Sequence, residues 1–388
     1  MRNTFKTLFN ALKSKLYILS HFSVVWKDIL NIRSKVETNM GGLPYVVEWL
    51  KYAQDITPDG GLSAGYSFSR GWLSSYPETT GYTIPTFLDY YHLTNEKEYL
   101  NRAIKMADWL ISIQMENGAF PGSLISEPLK PIVFNTGQVL QGLTKIYKET
   151  QRSNYLESAK RAANWLLKIQ DEDGAWRRFT YNNIPHVYHT RVVWPLLELY
   201  EIVQNENYFK SSIKNVEWAL RNQETNGWFR NNAFDLKSDP YLHTIGYTIE
   251  GLIECAILSK NKNWLNSAMK PAETLLDKLR REGCLSATYN ADWEATAGYR
   301  CLTGEAQITL CWLKLFQING DKKYFNAARE LNNNLKILQE INSGNKGIKG
   351  GLKGSHPIWG DYQPFMYPNW VAKFLADTLI LEKRLTED

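Results

Sequence analysis

The stretch Arg-Ala-Ala-Asn-Trp-Leu-Leu-Lys-Ile-Gln-Asp-Glu-Asp-Gly-Ala-Trp, residues 161–176, decides the fold of this chain. Its first part places apolar residues at helical spacing, and a glycine plus a bulky residue follow it. Four copies share a tryptophan five residues before a glutamine: Trp49 and Gln54, Trp109 and Gln114, Trp165 and Gln170, Trp218 and Gln223. Counting two looser copies, the glycines are Gly61, Gly118, Gly174, Gly227, Gly283 and Gly351, spaced by 57, 56, 53, 56 and 68 residues. Six copies at a near-even period predict a repeat architecture.

Each glycine is followed by a long loop and then by a more apolar helix. The predicted apolar helices are Thr80–Tyr91, Gly137–Tyr147, Arg191–Ile202, Ile245–Leu258, Gly304–Gln317 and Trp370–Leu381. A helix that is apolar all round is buried, whereas a one-sided helix forms an outer layer. Six alternating pairs therefore predict an all-α fold, a single (α/α)₆ toroid of six helical hairpins. The glycines are expected to be helix C-caps with positive φ.

Composition and charge narrow the class of protein. The chain has 388 residues, of which 44% are hydrophobic and 22% charged, as in a globular protein. Residues 1–40 hold seven Lys and Arg against two acidic residues, and the rest holds 38 of each sign. Because nucleic-acid affinity rests on many phosphate contacts, a neutral body argues against that partner. Four cysteines without a Cys-x-x-Cys pair are expected to be reduced structural thiols.

Residues 1–40 are predicted to be a basic amphipathic extension, with the toroid as the catalytic domain over 41–388. The apolar positions recur every three to four residues: Phe5, Leu8, Phe9, Leu12, Leu16, Leu19 and Phe22. Lysines interrupt the stretch and no small-residue cleavage site follows, so a secretory signal is not predicted. Two interpretations remain open, a helix on an anionic membrane surface and a helix packed on the body or on a partner. The expected location is the cytoplasm, with peripheral attachment to the membrane under the first interpretation.

The starts of the six apolar helices align on a common pair of residues. These pairs are Glu78-Thr79, Asn135-Thr136, His189-Thr190, His243-Thr244, Leu302-Thr303 and Pro368-Asn369. The second residue of each pair is predicted to be an N-cap. The first is then at the rim of the central cavity, where ionisable residues indicate acid–base chemistry. The candidate catalytic residues are Glu78, His189, His243, Tyr188 and Glu305.

Aromatic and polar residues crowd the same loops, as a sugar site requires. Flat aromatic faces suit sugar rings, and amides, arginines and carboxylates bind hydroxyl groups. The predicted substrate-binding residues are Arg70, Trp72, Tyr76, Tyr82, Asn135, Gln138, His186, Arg191, Tyr241, Trp293, Arg300, Trp359, Asp361, Tyr367, Asn369 and Lys373. No cofactor or metal is expected. The metal alternative would use His186, His189, His243 and Asp361, which lack the helical His-x-x-x-His spacing.

Two toroid superfamilies resemble this pattern over residues 41–388. The run from Arg161 to Trp176 is similar to the QW motif of terpene cyclases, although neither Asp-x-Asp-Asp nor Asp-Asp-x-x-Asp occurs here. The phrase Gly304-Glu305-Ala306-Gln307, followed by Asn319-Gly320-Asp321-Lys322-Lys323-Tyr324-Phe325, resembles carbohydrate-active toroids. That group comprises six-hairpin glycosidases, polysaccharide lyases and glucuronyl C5-epimerases. The resemblance implies an enzyme that acts on a glycan.

The expected function is therefore glycan modification by hydrolysis, elimination or epimerisation. The expected substrate is an acidic or lipid-linked surface polysaccharide or its precursor, with Arg191 neutralising a substrate carboxylate. Two other functions remain open. A terpenoid cyclase or prenyl-converting toroid would have an almost wholly apolar cavity, and a non-catalytic glycan-binding scaffold would not depend on Glu78, His189 or His243.

Overall fold

The computed structural model describes residues 21–32 and 42–387. Residues 21–29 form helix α1. The predicted outer helices are α2 (Leu43–Asp55), α4 (Lys97–Ser112), α6 (Ser153–Ile169), α8 (Glu206–Arg221), α10 (Lys262–Glu282) and α12 (Lys322–Leu338). The predicted inner helices are α3 (Pro77–Thr94), α5 (Val133–Thr150), α7 (Thr190–Val203), α9 (Leu242–Ser259), α11 (Leu302–Asn319) and α13 (Asn369–Glu387).

The inner helices close into a ring. Each packs against the next in the order α3, α5, α7, α9, α11, α13, and α13 packs back against α3. Each inner helix also pairs with the outer helix that follows it, and the last, α13, pairs with the first outer helix, α2. The first and last helices of the ring thus complete one hairpin, which confirms the predicted all-α (α/α)₆ toroid.

Burial separates the two layers as the apolar patterns predicted. In α9, residues 242–253 are all buried, because other helices surround this helix. In α8 the buried residues recur on one face: Tyr208, Ser211, Ser212, Asn215, Val216, Trp218 and Ala219. The all-round and the one-sided helices therefore take the inner and outer positions.

The glycines lie in turns beyond the helices, so the C-cap prediction was wrong for all but Gly283. Helix α6 ends at Ile169, and Gly174 lies five residues later with φ of +94°. In the first and last copies the positive φ belongs to Gly60 and Gly350, one residue earlier than predicted. A Cβ on Gly174 would lie 2.2 Å from the carbonyl oxygen of Lys214, so close approach of the next outer helix also requires glycine.

The repeated glutamine joins each turn to the next repeat. Nε2 of Gln170 donates to the carbonyl oxygen of Gly174 at 3.0 Å and to that of Ser211 in α8 at 3.1 Å. The hydroxyl of Ser211 donates in turn to Oε1 of Gln170 at 2.7 Å. The same two-carbonyl bridge recurs at Gln54, Gln114, Gln223 and Gln339.

Gln339 forms the glutamine bridge that closes the ring. The Trp–Gln spacing of the sequence pattern did not single out this residue. Its Nε2 donates to Gly350 at 2.7 Å and to Gly42, at the start of α2, at 3.2 Å. The last repeat is thereby joined to the first outer helix. The copy around Gly283 has Glu282 in this region, and there the glycine caps α10 directly.

The predicted N-cap residues lie within the first helical turn instead, so this prediction was wrong. Helices α3, α5 and α9 begin two or three residues before Thr79, Thr136 and Thr244, and Thr190, Thr303 and Asn369 also lie inside their helices. Thr136 donates to the carbonyl oxygen of Ile132 and accepts from the amide of Phe120, just after a glycine turn. Thr80 makes the same pair of contacts with Tyr76 and Leu62. These threonines hold the turn against the inner helix.

Short strands and turns hold the long loops in place at the amino ends of the inner helices. Strand β1 (Gly65–Ser67) pairs antiparallel with β2 (Gly71–Trp72) and with β5 (Met366–Pro368), and β3 (Arg300–Cys301) pairs with β4 (Ser355–His356). Two 3₁₀ turns, Tyr181–Asn183 and Val187–His189, precede α7. The β1–β5 pairing joins the first loop to the last at the amino end of α13.

Helix α1 is the described part of the predicted extension. It packs on the toroid through the side chains of His21, Val24 and Asp28. The predicted apolar positions from Phe5 to Leu19 lie outside the described residues. No described helix is both long and apolar enough to cross a bilayer.

We expect Gln170→Ala to lower the free energy of unfolding by about 1.5 kcal/mol, because two backbone carbonyls and Ser211 lose their shared partner. Urea denaturation monitored by circular dichroism measures this change. The control is Glu172→Ala, an exposed side chain of the same turn, which should change stability by less than about 0.5 kcal/mol. Equal stability of the two variants would contradict the structural role of the glutamine.

Candidate active site

The amino ends of the inner helices and the long loops enclose a cavity of about 290 Å³. Nine of the fifteen residues that line it are Tyr, Phe or Trp. The lining residues are Tyr76, Glu78, Tyr82, Gly122, Ile132, Phe134, Asn135, Tyr181, Tyr188, Phe234, His243, Tyr247, Tyr362, Gln363 and Trp370. An apolar cavity with a few polar groups is typical of a small-molecule site. We call it the inner cavity.

Glu78, in the first turn of α3, is the one carboxylic acid of this lining. Burial raises its pKa to about 7, because the charged form loses its hydration. Two opposing effects are smaller: the hydroxyl of Tyr76 donates to Oε2 at 2.7 Å, and the positive charge of Arg191 also favours the carboxylate. Glu78 can therefore either release or accept a proton near neutral pH.

His243 occupies the matching first-turn position of α9, three inner helices from α3 around the ring of six. Its Nδ1 lies 2.8 Å from Oε1 of Gln307. Since that oxygen only accepts, Nδ1 carries the proton and Nε2 keeps a lone pair. Burial lowers the pKa of this imidazole to about 3, against the smaller effect of the Gln307 hydrogen bond. His243 is thus a neutral base.

Polar atoms without protein partners also line this cavity. The amide Nδ2 of Asn135 and the hydroxyls of Tyr82 and Tyr247 are buried and form no hydrogen bond of normal geometry with a described residue, although Asn135 lies near Tyr76 and the two tyrosine hydroxyls lie near each other. An unsatisfied buried polar group costs free energy, which a bound hydroxyl-rich ligand would recover.

A second cavity of about 490 Å³ adjoins the first, and we call it the outer cavity. The two share the side chains of Tyr181, Phe234, Tyr362 and Gln363. The other residues that line the outer cavity are Asn182, Asp235, Ser238, Asp239, Tyr241, Thr288, Thr296 and Asp361. Its wall is therefore polar where that of the inner cavity is aromatic.

The structure brings together eight of the residues predicted from sequence. The inner cavity contains Glu78, His243, Tyr188, Tyr76, Tyr82 and Asn135, and the outer cavity contains Tyr241 and Asp361. Among the predicted catalytic residues, Glu78, His243 and Tyr188 thus reach the inner cavity.

Two of the predicted histidines lie behind the cavity wall. His186 is fixed by the carbonyl oxygens of Ala233 and Tyr181, at 3.1 and 2.9 Å. His189 is buried against Trp176, with neither ring nitrogen hydrogen-bonded to a described residue. Burial lowers the pKa of both imidazoles, and that of His189 well below its ordinary value. Both are side chains of the packed interior rather than of either cavity lining.

Arg191 lies beneath the inner cavity rather than in its wall. Its guanidinium forms an ion pair with Glu250, donates from Nε to Gln138 at 3.0 Å and faces the ring of Tyr247. Lys373 is equally buried, 2.5 Å from Asp377, and burial lowers its pKa to about 8. Arg191, Gln138 and Lys373 therefore hold the floor together, and the tyrosine rings separate the two cations from the cavity.

Glu305 and Arg300 bind each other instead of facing either cavity. Two parallel hydrogen bonds of 2.7 and 2.6 Å join them, and Glu305 is fully buried. Such a bidentate pair satisfies both groups. The structure places this pair at the β3–α11 junction.

The remaining predicted binding residues are dispersed. Trp293 packs against Trp228, Trp72 packs against Trp49, and Tyr367 packs against Phe68. Asn369 donates to the carbonyl oxygen of Ser63 and to the hydroxyl of Thr79, both at 2.7 Å. Arg70 and Trp359 are exposed outside the residues that line the two cavities.

Several lining residues were not among the predicted site residues. Tyr247 matches Tyr82 within the similar phrases at 78–84 and 243–249, so the repeat could have identified it. The others are Gly122, Ile132, Phe134, Tyr181, Phe234, Tyr362, Gln363 and Trp370. Phe134 is the second residue of α5, as Glu78 is of α3, so the two positions correspond. The sequence alignment had paired Glu78 with Asn135, which is shifted by one residue.

The predicted metal alternative can be compared with the positions of the His, Cys, Asp and Glu side chains among the described residues. No group of three or more His, Cys, Asp or Glu there is close enough to hold a metal ion. His186, His189, His243 and Asp361 therefore do not form the ligand set of the metal alternative.

We expect the carboxyl group of Glu78 to titrate near pH 7, and Tyr76→Phe to raise its pKa further by removing a hydrogen bond to the charged form. Infrared difference spectroscopy measures the carboxyl band, with Glu78→Gln as the blank that assigns it. The matched control is Tyr181→Phe, which removes a lining hydroxyl that forms no hydrogen bond to Glu78 in the structure.

The pH dependence of the free energy of unfolding provides a second measurement of the pKa of Glu78. Since the pKa is higher in the folded state than the ordinary 4.5, the contribution of Glu78 is fully present below pH 4.5 and is lost as the pH rises through 7. Relative to Glu78→Gln, the protein should lose about 3 kcal/mol over this range. An unchanged difference would mean that the carboxyl group is hydrated.

Comparison with known proteins shows which other proteins have a similar sequence pattern or fold. The sequence pattern of the squalene-hopene cyclase C-terminal domain matches residues 83–253, less than half of the chain. A search of curated proteins found no match.

Solved structures with the same architecture match nearly the whole chain. An unsaturated glucuronyl hydrolase specific for heparin matches at 14% identity and a TM-score of 0.71, covering 89% of this chain and 97% of its own. Cellobiose 2-epimerase from Bacillus thermoamylovorans matches at 13% identity and a TM-score of 0.67, covering 87% and 96%. An α-amylase from Clostridium perfringens matches at 17% identity and a TM-score of 0.64, covering 88% and 97%. The predicted resemblance to carbohydrate-active toroids is confirmed, and at these identities it establishes the fold.

Proposed function

We propose that the protein is a glycan-modifying enzyme that holds one sugar ring in the inner cavity, between Glu78 and His243. The observation that carries the proposal is the pairing of an acid of pKa about 7 with a neutral imidazole in one aromatic cavity. Aromatic faces pack against the apolar faces of a sugar ring, and Asn135, Tyr82 and Tyr247 offer hydrogen bonds to its hydroxyl groups. The resemblance to hydrolases and epimerases of sugars supports the same class.

The two groups have complementary roles. His243 keeps a lone pair on Nε2 with which it accepts a hydrogen bond or a proton from the substrate, while Gln307 fixes the ring through Nδ1. Glu78, part protonated near neutral pH, gives a proton to or takes one from the other side of the sugar. Their positions on helices from different sides of the ring allow the substrate to lie between them.

This pair favours proton transfer at carbon, as in epimerisation or elimination, over hydrolysis by two carboxyl groups. Two-carboxyl hydrolysis needs a second carboxyl group beside the scissile bond. Glu78 is the one carboxyl group in the lining of the inner cavity, and Asp239 and Asp361 belong to the outer cavity. Hydrolysis remains the alternative within the same class, supported by the hydrolase neighbours.

A terpenoid-converting enzyme is the second candidate, because the cyclase pattern matches residues 83–253. Aromatic walls also stabilise carbocations. However, Glu78, Asn135, His243 and Gln363 interrupt the wall with groups that suit hydroxyls better than an isoprenoid chain. The polar lining therefore supports the sugar proposal.

We expect Glu78→Gln and His243→Gln each to lower turnover at least about 100-fold, since each removes a proton-transfer group. Mass spectrometry of an oligosaccharide panel incubated in deuterated water reports hydrolysis, elimination and epimerisation together. His92→Gln is the control, because this exposed histidine lies at the opposite end of α3. Full activity in both site variants would favour a non-catalytic scaffold, and conversion of isoprenoids alone would favour the second candidate.

We also propose that the chain attaches to an anionic membrane surface through its amino-terminal region. Helix α1 docks with one face and exposes large apolar side chains on the other. These are Phe22, Trp26 and Ile29, with Leu30 and Ile32 just beyond the helix, each about half exposed. The excess of basic residues in 1–40 complements anionic lipid headgroups.

Helix α1 also contacts the region that carries part of the cavity wall. Asp28 forms an ion pair with Lys353 and accepts from the backbone amide of Ile358 at 2.7 Å. Ile358 is four residues from Tyr362, which lines both cavities. The attachment surface and the site are thus close in the fold, which supports a substrate at a membrane surface.

We expect Trp26→Ser combined with Ile29→Ser to weaken binding to vesicles of phosphatidylglycerol and phosphatidylcholine by at least about tenfold, because two exposed apolar side chains that would enter the membrane are lost. Co-sedimentation measures the bound fraction, which should also fall with salt. Trp359→Ser is the matched control, since that tryptophan is similarly exposed outside α1. Failure of the unmodified protein to bind, or a dimer held together through α1, would contradict the membrane proposal.

A further inference from the structure

The inner and outer cavities are adjacent and share part of their walls, and we take the two together as the cleft. Four side chains, Tyr181, Phe234, Tyr362 and Gln363, belong to the walls of both. The proposed proton-transfer pair lines only the inner part, which is the smaller and more aromatic one. The larger outer cavity therefore lies next to the proposed reacting position.

The lining of the outer cavity is rich in hydroxyl and amide groups. Hydroxyls of Ser238, Tyr241, Thr288 and Thr296 and the amide of Asn182 line it, and the two threonine hydroxyls lie 2.8 Å apart. Backbone bridges between Tyr241 and Thr288 and between Tyr289 and Ala295 hold this wall. A wall of hydroxyls and amides matches a chain of sugars rather than an apolar group.

The charge of the outer cavity is negative. Asp235, Asp239 and Asp361 line it, and neither cavity has a lysine or arginine in its lining. Asp235 is engaged within its own loop by Ser238 and by the backbone amide of Lys237. Asp239 and Asp361 form no ion pair within the described part of the chain, so their charges act on whatever enters the cleft.

The cations of the interior do not offset these carboxylates. Arg191 lies under the inner cavity in an ion pair with Glu250, and Lys373 is paired with Asp377. Arg300 is held by Glu305. An anionic sugar in the outer cavity would thus meet carboxylates with no lysine or arginine in the lining, whereas the charge of Arg191 acts at the inner cavity. Like charges repel across distances of several ångström.

Buried donors at the inner end provide an independent sign of an uncharged, hydroxyl-rich ligand. Nδ2 of Asn135 and the hydroxyls of Tyr82 and Tyr247 line the inner cavity without a hydrogen bond of normal geometry to a described residue, although Asn135 lies near Tyr76 and the two tyrosine hydroxyls lie near each other. Neutral donors of this kind pair with sugar hydroxyls, whereas a carboxylate is usually bound by arginine or lysine.

We infer that the cleft takes an oligosaccharide that is uncharged along its length, with its reacting sugar in the inner cavity and its other sugars in the outer one, and that Asp239 and Asp361 exclude uronates and sulfated sugars. This inference rests on the proposed glycan-modifying function. It replaces the acidic polysaccharide expected from sequence as the proposed substrate class.

The test uses matched tetrasaccharides of glucose and of glucuronate in each of three linkages, β-1,4, β-1,3 and α-1,4. Isothermal titration calorimetry with the full chain measures binding at 20 and 300 mM salt. We expect the neutral tetrasaccharide of the preferred linkage to bind at least about tenfold more tightly than its uronate partner at low salt. The ratio should shrink at high salt, because ions screen the repulsion.

Variants of Asp239 and Asp361 test whether these two carboxylates cause the weaker binding of the uronate. Asp239→Asn combined with Asp361→Asn should raise uronate affinity by about threefold to tenfold and leave the neutral ligand within about twofold, since one charge is removed at each position. Glu116→Gln, an exposed acidic residue outside both cavity linings, should change neither affinity.

Each outcome decides a separate point. Equal or tighter binding of the uronate would overturn the inference and leave the proposed function intact. A preference for the neutral ligand that survives both asparagine substitutions would also overturn it, because the carboxylates would then not be its cause. Binding of neither tetrasaccharide in any linkage would contradict the proposed function itself.

Discussion

The hydrogen bonds of one repeated glutamine amide hold successive repeats in register, and the site depends on that register. Each such amide donates to the carbonyl of its own glycine turn and to a carbonyl of the next outer helix. Because the turn leads through a loop to the next inner helix, fixing it also fixes where that helix begins. Gln339 applies the same bridge between the last repeat and the first, and so closes the ring.

Closure brings Glu78 and His243 to one cavity from helices far apart in sequence. Their chemistry then follows from burial. Loss of hydration raises the pKa of the acid to about 7 and lowers that of the base to about 3, so a carboxylic acid and a neutral imidazole coexist near neutral pH. The aromatic wall that provides this burial also provides the faces against which a sugar packs. The same side chains thus account for both protonation and binding.

Several sequence-based interpretations were wrong for a common reason. Residue type indicated Glu305, Arg300 and His189 as site residues, but Glu305 and Arg300 satisfy each other and His189 lies behind the wall. Likewise, Thr136 is a residue type that favours N-caps, but it binds the segment just after the preceding glycine turn from inside the helix. A polar residue at the start of an inner helix can face either the cavity or the packed interior. The neighbouring helices and loops determine which of the two directions its side chain takes.

The sequence by itself determined the architecture, because apolar periodicity and the repeated Trp–Gln–Gly pattern specify which helices are buried all round and where each turn occurs. It also singled out Glu78 and His243 as candidates, since the phrases at 78–84 and 243–249 place two ionisable residues at matching helix starts. Only the tertiary structure decided which candidates share a cavity, that Arg191 lies below its floor, and that the outer cavity is acidic. These properties depend on loops of unequal length meeting across the ring, and local sequence patterns do not encode such distances.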